Sequence, residues 1–165
     1  MEIEKKFIVD ERILRKHIPD YQKYSYKEIY QKYIAVTDDE EIRIRLTQKG
    51  CNKKYLITHK KGKGNIREEK EFEIGIELAK KIWENIDDTP INKIRYYIPY
   101  KNKTIELDIF INTTLKAFAE IEFDTIEEMN NFEFPAWFGK ETKLKNKDIY
   151  KNIQEGLYKR EIRYS

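Results

Sequence analysis

The chain holds a single cysteine, Cys51, and two histidines in 165 residues. One thiol cannot close a disulfide within the chain, nor can it assemble a thiolate zinc site. Two histidines far apart in sequence argue against an imidazole-rich metal site as well. Long apolar runs are also missing: no stretch approaches the roughly 20 residues needed to span a bilayer, and the start lacks the apolar core of a signal peptide. Neither sign of charge dominates. Lys and Arg number 33 against 30 Asp and Glu, a net charge of +3, which does not describe a protein built to coat nucleic acid. The expectation is a cytoplasmic chain with no nucleic-acid or membrane partner. Any metal in it would be held by carboxylates, which suits Mg²⁺, Mn²⁺ or Ca²⁺.

What the chain has in abundance is charge of both signs. Charged residues make up 38% of it, against an average near 25%. An aromatic content of 13% nevertheless marks a folded chain. The length suits one domain, 1–165, and no repeat, linker or composition break divides it. Strand-like stretches rich in Ile, Tyr, Phe or Thr cover 2–9, 29–36, 41–48, 54–60, 66–74, 93–100, 103–111 and 117–124. Helical periodicity lies between them. "ERILRKHI" follows Asp10 as N-cap; "ELAKKIWENI" carries Leu78, Ile82 and Ile86 on one stripe; "TIEEMNNF" opens with a Thr125…Glu128 capping box. A last helix is expected over about 146–162, with Ile149, Ile153 and Leu157 on one face.

Sorted by face, the strands repeat one pattern. Side chains two apart share a face of a sheet. Glu2, Glu4 and Lys6 therefore project together, as do Arg43 with Arg45, Thr58 with Lys60, Arg67 with Glu69, Glu71 and Glu73, Lys93 with Arg95, Glu106 with Asp108, and Glu120 with Glu122. The opposite faces are largely Ile, Leu, Tyr and Phe. A sandwich with solvated ionic faces would explain this, but such a face more often mixes Thr, Ser, Lys and Gln. If helices instead cover the apolar faces, a closed sheet encloses the ionic ones, and a barrel of about eight strands has an interior wide enough for a small ligand. The predicted fold is α+β: an antiparallel closed barrel around a charged tunnel, with helices packed outside. Buried charges need partners, so water or a highly charged ligand with metal ions would fill it.

These stretches resemble, in order, the motifs of the CYTH superfamily, the triphosphate tunnel metalloenzymes. Glu2-x-Glu4-x-Lys6 matches its ExExK signature. "YQKYI" (30–34) is similar to QGYL, "IRIR" (42–45) to RxR, "YLITHKKG" (55–62) to LTxKG, and "REEKE" (67–71) to RxExE. "NKIRYYI" (92–98) is similar to KTRY, "ELDIF" (106–110) to EVDxF, "AEIEF" (119–123) to AEIEL, and "PAWFG" (135–139) to PxWxG. The resemblance covers about 1–155, and the short bacterial inorganic triphosphatases are the most similar branch. Lys32 stands where the family usually has glycine, His59 where an apolar residue is common, and "KETK" where EVT follows the tryptophan motif.

The resemblance implies an eight-stranded tunnel that binds a triphosphate compound with Mg²⁺ or Mn²⁺. Its activities range over inorganic, thiamine and RNA triphosphatases and class IV adenylyl cyclase; a triphosphate-binding module without turnover is the non-enzymatic alternative, and a homodimer is left open. For phosphate binding it points to Lys6, Arg43, Arg45, Lys60, Arg67 and Arg95, guanidinium by bidentate geometry and ammonium as point charge. Glu2, Glu4, Glu120 and Glu122 look like metal ligands, with Asp108 completing the acid cluster, while Glu69, Glu71 and Glu106 hold arginines in place. Lys93, with Tyr33, is the candidate pair for water activation, since neighbouring cations would depress the lysine. Trp83 and Trp137 are read as packing residues and Cys51 as an exposed loop thiol.

Overall fold

The structure is a computed structural model and describes residues 1–111 and 117–142. Its strands are β1 (Glu2–Val9), β2 (Tyr26–Val36), β3 (Glu40–Lys49), β4 (Asn52–Lys61), β5 (Ile66–Ile74), β6 (Ile91–Tyr100), β7 (Lys103–Phe110) and β8 (Ala117–Phe123). All neighbours run antiparallel, and the sheet closes on itself in the order β1-β5-β4-β3-β2-β6-β7-β8. Each expected strand is present. β2 begins three residues early, at Tyr26, because that end pairs with β6, Tyr26 against Tyr96. The expected helix over 146–162 lies outside the described residues. Among the described residues no helix is long and apolar enough to cross a membrane.

The helices are short and depend on the barrel's apolar exterior. α1 (Glu11–His17) starts where the Asp10 carboxylate accepts the Arg12 amide at 2.8 Å, and it buries Leu14. α3 (Ile126–Asn131) starts where the Thr125 hydroxyl accepts the Glu128 amide at 3.1 Å; the Glu128 carboxylate reaches back to the Asp124 amide, one residue before the expected partner. Around α1 and α3, the outward faces of β1, β6, β7 and β8 pack Ile3, Val9, Ile98, Ile105, Leu107, Ala119, Ile121 and Phe123 with Met129 and Trp137. The main core is therefore a layer outside the barrel, as the face pattern predicts.

α2 (Ile76–Glu84) lies across β3 and β4, and Ala79, Ile82, Trp83 and Ile86 close over Ile44 and Ile57. Leu78, expected on the packed stripe, is 53% exposed: Ala79 has the buried place, and the stripe runs one position round the helix. Lys32 explains its own departure from glycine. On the outer face of β2, its ammonium donates to the carbonyls of Ile86 (2.9 Å) and Trp83 (3.2 Å) and lies 4.7 Å from the Trp83 ring centroid. A cation at a helix C-terminus satisfies carbonyls that have no intrahelical donor. Lys32→Ala should lower stability by about 2 kcal/mol, read as a lower urea midpoint at unchanged slope.

The barrel wall has one splice. β1 meets β5 at Glu2↔Arg67 and Ile3↔Ile66, after which β5 diverges. The segment after Trp137 takes its place beside β1: the Gly139 amide donates to the Ile8 carbonyl, the Ile8 amide to Lys140, and the Thr142 amide to Lys6, each at 2.9 Å.

Candidate active site

Strand alternation delivers every second side chain to one interior cavity of about 350 Å³. Glu2, Glu4 and Lys6 reach it from β1, Tyr33 from β2, and Arg43 and Arg45 from β3. Lys60 comes from β4, Arg67 from β5, Lys93 and Arg95 from β6, Asp108 from β7, and Glu120 and Glu122 from β8. All the candidate phosphate-binding, metal-binding and catalytic residues thus line one chamber, in which acids and bases interleave.

Glu2, Glu4 and Glu122 form the acid corner. β1 and β8 place Glu4 opposite Glu122, and one carboxylate oxygen from each of the three residues lies within 4.8 Å of the others. Burial, then the carboxylates of Glu106, Glu2 and Glu4, push the Glu122 carboxyl up to about 7. Burial also raises Glu2 and Glu4, with Glu69 and Glu120 respectively adding to it. Lys60 at 2.9 Å from Glu2 and Arg67 at 3.0 Å from Glu4 offset part of the repulsion. Three converging hard oxygens in a field that disfavours their ionised forms fit a divalent cation such as Mg²⁺ or Mn²⁺. A carboxyl whose pKa is raised on folding destabilises the fold once pH passes its unfolded value. Removing that charge should therefore help only at higher pH. Metal-free Glu122→Gln should melt above the wild-type temperature at pH 8 and with it at pH 5, checked by thermal unfolding in EDTA.

Asp108 and Glu120 do not join this corner. The Arg95 guanidinium grips both Asp108 oxygens at 2.7 and 2.9 Å, and the Lys93 ammonium donates to the same carboxylate at 2.7 Å. Burial alone would raise the Asp108 carboxyl, but these two cations hold it well below the usual range. Glu120 is likewise held down, against burial, by Lys6 at 3.4 Å and Arg95 at 3.8 Å. Both acids are buried counter-charges for the basic side of the chamber.

Lys93 is buried and lies 5.7 Å from the Phe110 ring centroid. Burial, with Arg95 and Arg45 nearby, lowers it to about 7 despite Asp108. Its expected partner sits elsewhere. Residue 29 faces Lys93 across the ladder, so Tyr33 lies four positions on, roughly 13 Å along the strand. Tyr33 instead faces Arg43, and burial beside Glu41 pushes its hydroxyl well up. Tyr33 keeps its proton across the physiological range.

Arg43 and Arg45 are less fully paired with acids than Arg95, which engages Asp108, Glu106 and Glu120. Arg45 donates to the Gln31 amide oxygen at 2.9 and 2.6 Å, and no carboxylate of the described residues lies within 4.0 Å of it. Burial, then Arg43 and Arg95, lower it to about 9. Arg43 reaches Glu41 at 3.4 Å, while its Nε has no hydrogen-bond partner among the described residues. Gln31 and Glu41 were not singled out in the sequence, although both stand two residues from a residue that was, Tyr33 and Arg43. Also unforeseen is the apolar end of the chamber, where Ile91, Phe110 and Phe118 project inward on the same alternation as Lys93, Asp108 and Glu120.

No family model and no curated protein matches this chain. Solved structures do. The inorganic triphosphatase NE1496 is 25% identical over 91% of this chain and 94% of its own, with a TM-score of 0.58. The PH1819 protein of Pyrococcus horikoshii is 20% identical over 90% and 97%, with a TM-score of 0.63. A Bacillus halodurans protein provisionally named an adenylate cyclase is 17% identical over 79% and 84%, with a TM-score of 0.60. The last two share the fold. NE1496 resembles this chain over nearly its whole length.

Proposed function

Since the chain belongs to the CYTH superfamily, we propose that it hydrolyses inorganic triphosphate to phosphate and pyrophosphate with a divalent cation. One observation carries this reading: a buried Arg45 guanidinium with no acid partner among the described residues, beside an Arg43 Nε with no acceptor, in a chamber that also holds three converging carboxylates. Uncompensated buried cations are costly to keep, and a polyanion compensates them. A triphosphate presents oxygens to Arg43, Arg45 and Arg95 on one side of the chamber. Glu2, Glu4 and Glu122 would hold the Mg²⁺ or Mn²⁺ on the other, and that cation supplies charge neutralisation on the phosphoryl oxygens.

Each remaining residue has a part in moving or holding charge. Neutral Lys93 accepts a proton from the attacking water as the new P–O bond forms and the bridging P–O bond breaks, leaving pyrophosphate. Asp108 holds Lys93 and Arg95 in register with each other. Lys6, Lys60 and Arg67 screen the acids and offer further phosphate contacts. Tyr33, with its proton retained, positions Arg43. With Lys93 near 7, the rate at saturating Mg²⁺ should rise from pH 6 to pH 8, about tenfold per unit on the acid limb, and Lys93→Met should flatten that limb.

The deciding experiment is phosphate release from tripolyphosphate, ATP and thiamine triphosphate in parallel, with Mg²⁺ or Mn²⁺ and with EDTA. Metal-dependent turnover of tripolyphosphate well above the others supports the reading. Tripolyphosphate binding with no phosphate released from any substrate would overturn it in favour of a binding module, and cyclic AMP formed from ATP would overturn it in favour of a cyclase.

A further inference from the structure

Four arginines line the chamber, and three of them meet carboxylates among the described residues. Arg95 reaches Asp108, Glu106 and Glu120, Arg67 reaches Glu2 and Glu4, and Arg43 reaches Glu41. Arg45 is met by an amide instead. β2 and β3 pair Gln31 directly with Arg45, and the Gln31 side-chain oxygen accepts from Nε at 2.9 Å and from Nη2 at 2.6 Å. Both residues are buried, with exposures of 3% and 6%. A guanidinium has no acceptor atom, so the amide must turn its oxygen toward it.

An amide oxygen does two things at this position. It fixes the plane of the guanidinium, because the grip takes Nε and one proton of Nη2 on the same side of the fork. A guanidinium has five N–H groups, and the Nη1/Nη2 edge is still the one that holds a phosphate by two parallel bonds. The amide also leaves the charge whole. A glutamate has nearly the same shape and would accept the same two bonds, but as an ion pair it would cancel the cation that an incoming anion needs. Across the other edge of β2 stands Ile91, which offers the amide no polar side chain. Stability alone favours the carboxylate, since a buried cation is better compensated by an opposite charge than by a dipole. Arg43, Arg67 and Arg95 follow that preference, and Arg45 departs from it.

Resting on the triphosphatase reading, we propose that Gln31 is a positioning residue that also sets specificity: it orients Arg45 for a pair of phosphate oxygens without neutralising it. Because residue 31 is an amide and not a carboxylate, the chamber keeps its affinity for a polyanion.

Two variants of similar size separate position from charge. Gln31→Glu keeps both bonds and adds a negative charge, whereas Gln31→Met removes both bonds and leaves Arg45 charged. Tripolyphosphate with Mg²⁺ is titrated calorimetrically into each, in a Lys93→Met background so that the ligand is not consumed, and urea unfolding is measured without ligand. Gln31→Glu should bind at least about 100-fold more weakly than its parent, with a urea midpoint at or above the parent's. Gln31→Met should lose about tenfold in binding, from the freed guanidinium, and its midpoint should fall. The two variants thus rank oppositely in binding and in stability. A merely structural glutamine would make Gln31→Glu, the closer mimic, the milder change in both. Binding by Gln31→Glu that equals the parent's or exceeds that of Gln31→Met overturns the proposal, and so does a Gln31→Glu midpoint below that of Gln31→Met. Turnover is read separately with Lys93 in place. Binding in the expected order without turnover removes the triphosphatase reading and keeps the role of Gln31; turnover with the reverse order of binding does the opposite. A wild-type chain that neither binds nor hydrolyses tripolyphosphate removes both.

Discussion

On the triphosphatase proposal, Arg45→Met is expected to leave a folded barrel with kcat/KM for tripolyphosphate down by about 10³-fold. The guanidinium is held among Arg43, Arg95 and the Gln31 oxygen, with no acid of the described residues in contact. In the free protein it is therefore a burden: burial and two neighbouring cations lower it to about 9. Replacing it by an apolar side chain of similar length removes that burden and forfeits two hydrogen bonds to Gln31. Losing two such bonds costs about 2–3 kcal/mol, while relieving an unpaired buried charge returns a comparable amount. Ligand-free unfolding should then shift little, while the thermal stabilisation given by tripolyphosphate with Mg²⁺ should vanish. A variant that loses fold and activity together would instead make Arg45 a structural residue, and the anion site would have to be placed elsewhere. Stability that survives while binding goes is the mark of a residue kept for function at a thermodynamic cost.

Much of this architecture was legible because charge and hydrophobicity alternate with the strand period. A one-residue change of register reverses which face is buried, so runs such as "IRIRL" and "IELDIF" report orientation as well as strand. They also report closure once the apolar face is assigned outward. Alternation does not report which inward charge meets which. Asp108 and Glu122 look alike in sequence, one strand apart. The ladder sets Asp108 opposite Arg95 and Glu122 opposite Glu4, so one acid becomes a counter-charge and the other joins the converging carboxylates. Lys93 and Tyr33 likewise both point inward, but register sets Tyr33 four positions along β2 from the residue that faces Lys93. The apolar end of the chamber escaped notice because Phe110 and Phe118 lie at strand ends, where an apolar residue on an ionic face reads as a frayed alternation. Lys32 shows the converse, since a residue that breaks the motif serves the outside of the barrel by docking α2.

Gly139→Ala is expected to be the most damaging glycine-to-alanine substitution among the described residues. A Cβ at Gly139 would stand 2.4 Å from the Ile8 carbonyl oxygen, a backbone atom that no side-chain rotamer can move aside. That carbonyl accepts the Gly139 amide at 2.9 Å, so the strand needs the approach that the methyl group forbids. Either the splice beside β1 detaches or β1 shifts, and the cost should be at least about 3 kcal/mol. The damage reaches the site because the splice holds β1 at Lys6 and Ile8, next to Glu4 of the acid corner. Mg²⁺ affinity should fall along with the urea midpoint. Gly50→Ala is the informative control: its φ of +60° makes alanine strained, but nothing lies within 4 Å of its Cβ position. Backbone strain alone costs about 1 kcal/mol, so Gly50→Ala should lose roughly that much and keep its metal affinity. Equal losses at the two glycines would mean that backbone conformation, and not contact with β1, sets the requirement at Gly139, and the splice would carry no weight in holding Glu4 and Lys6.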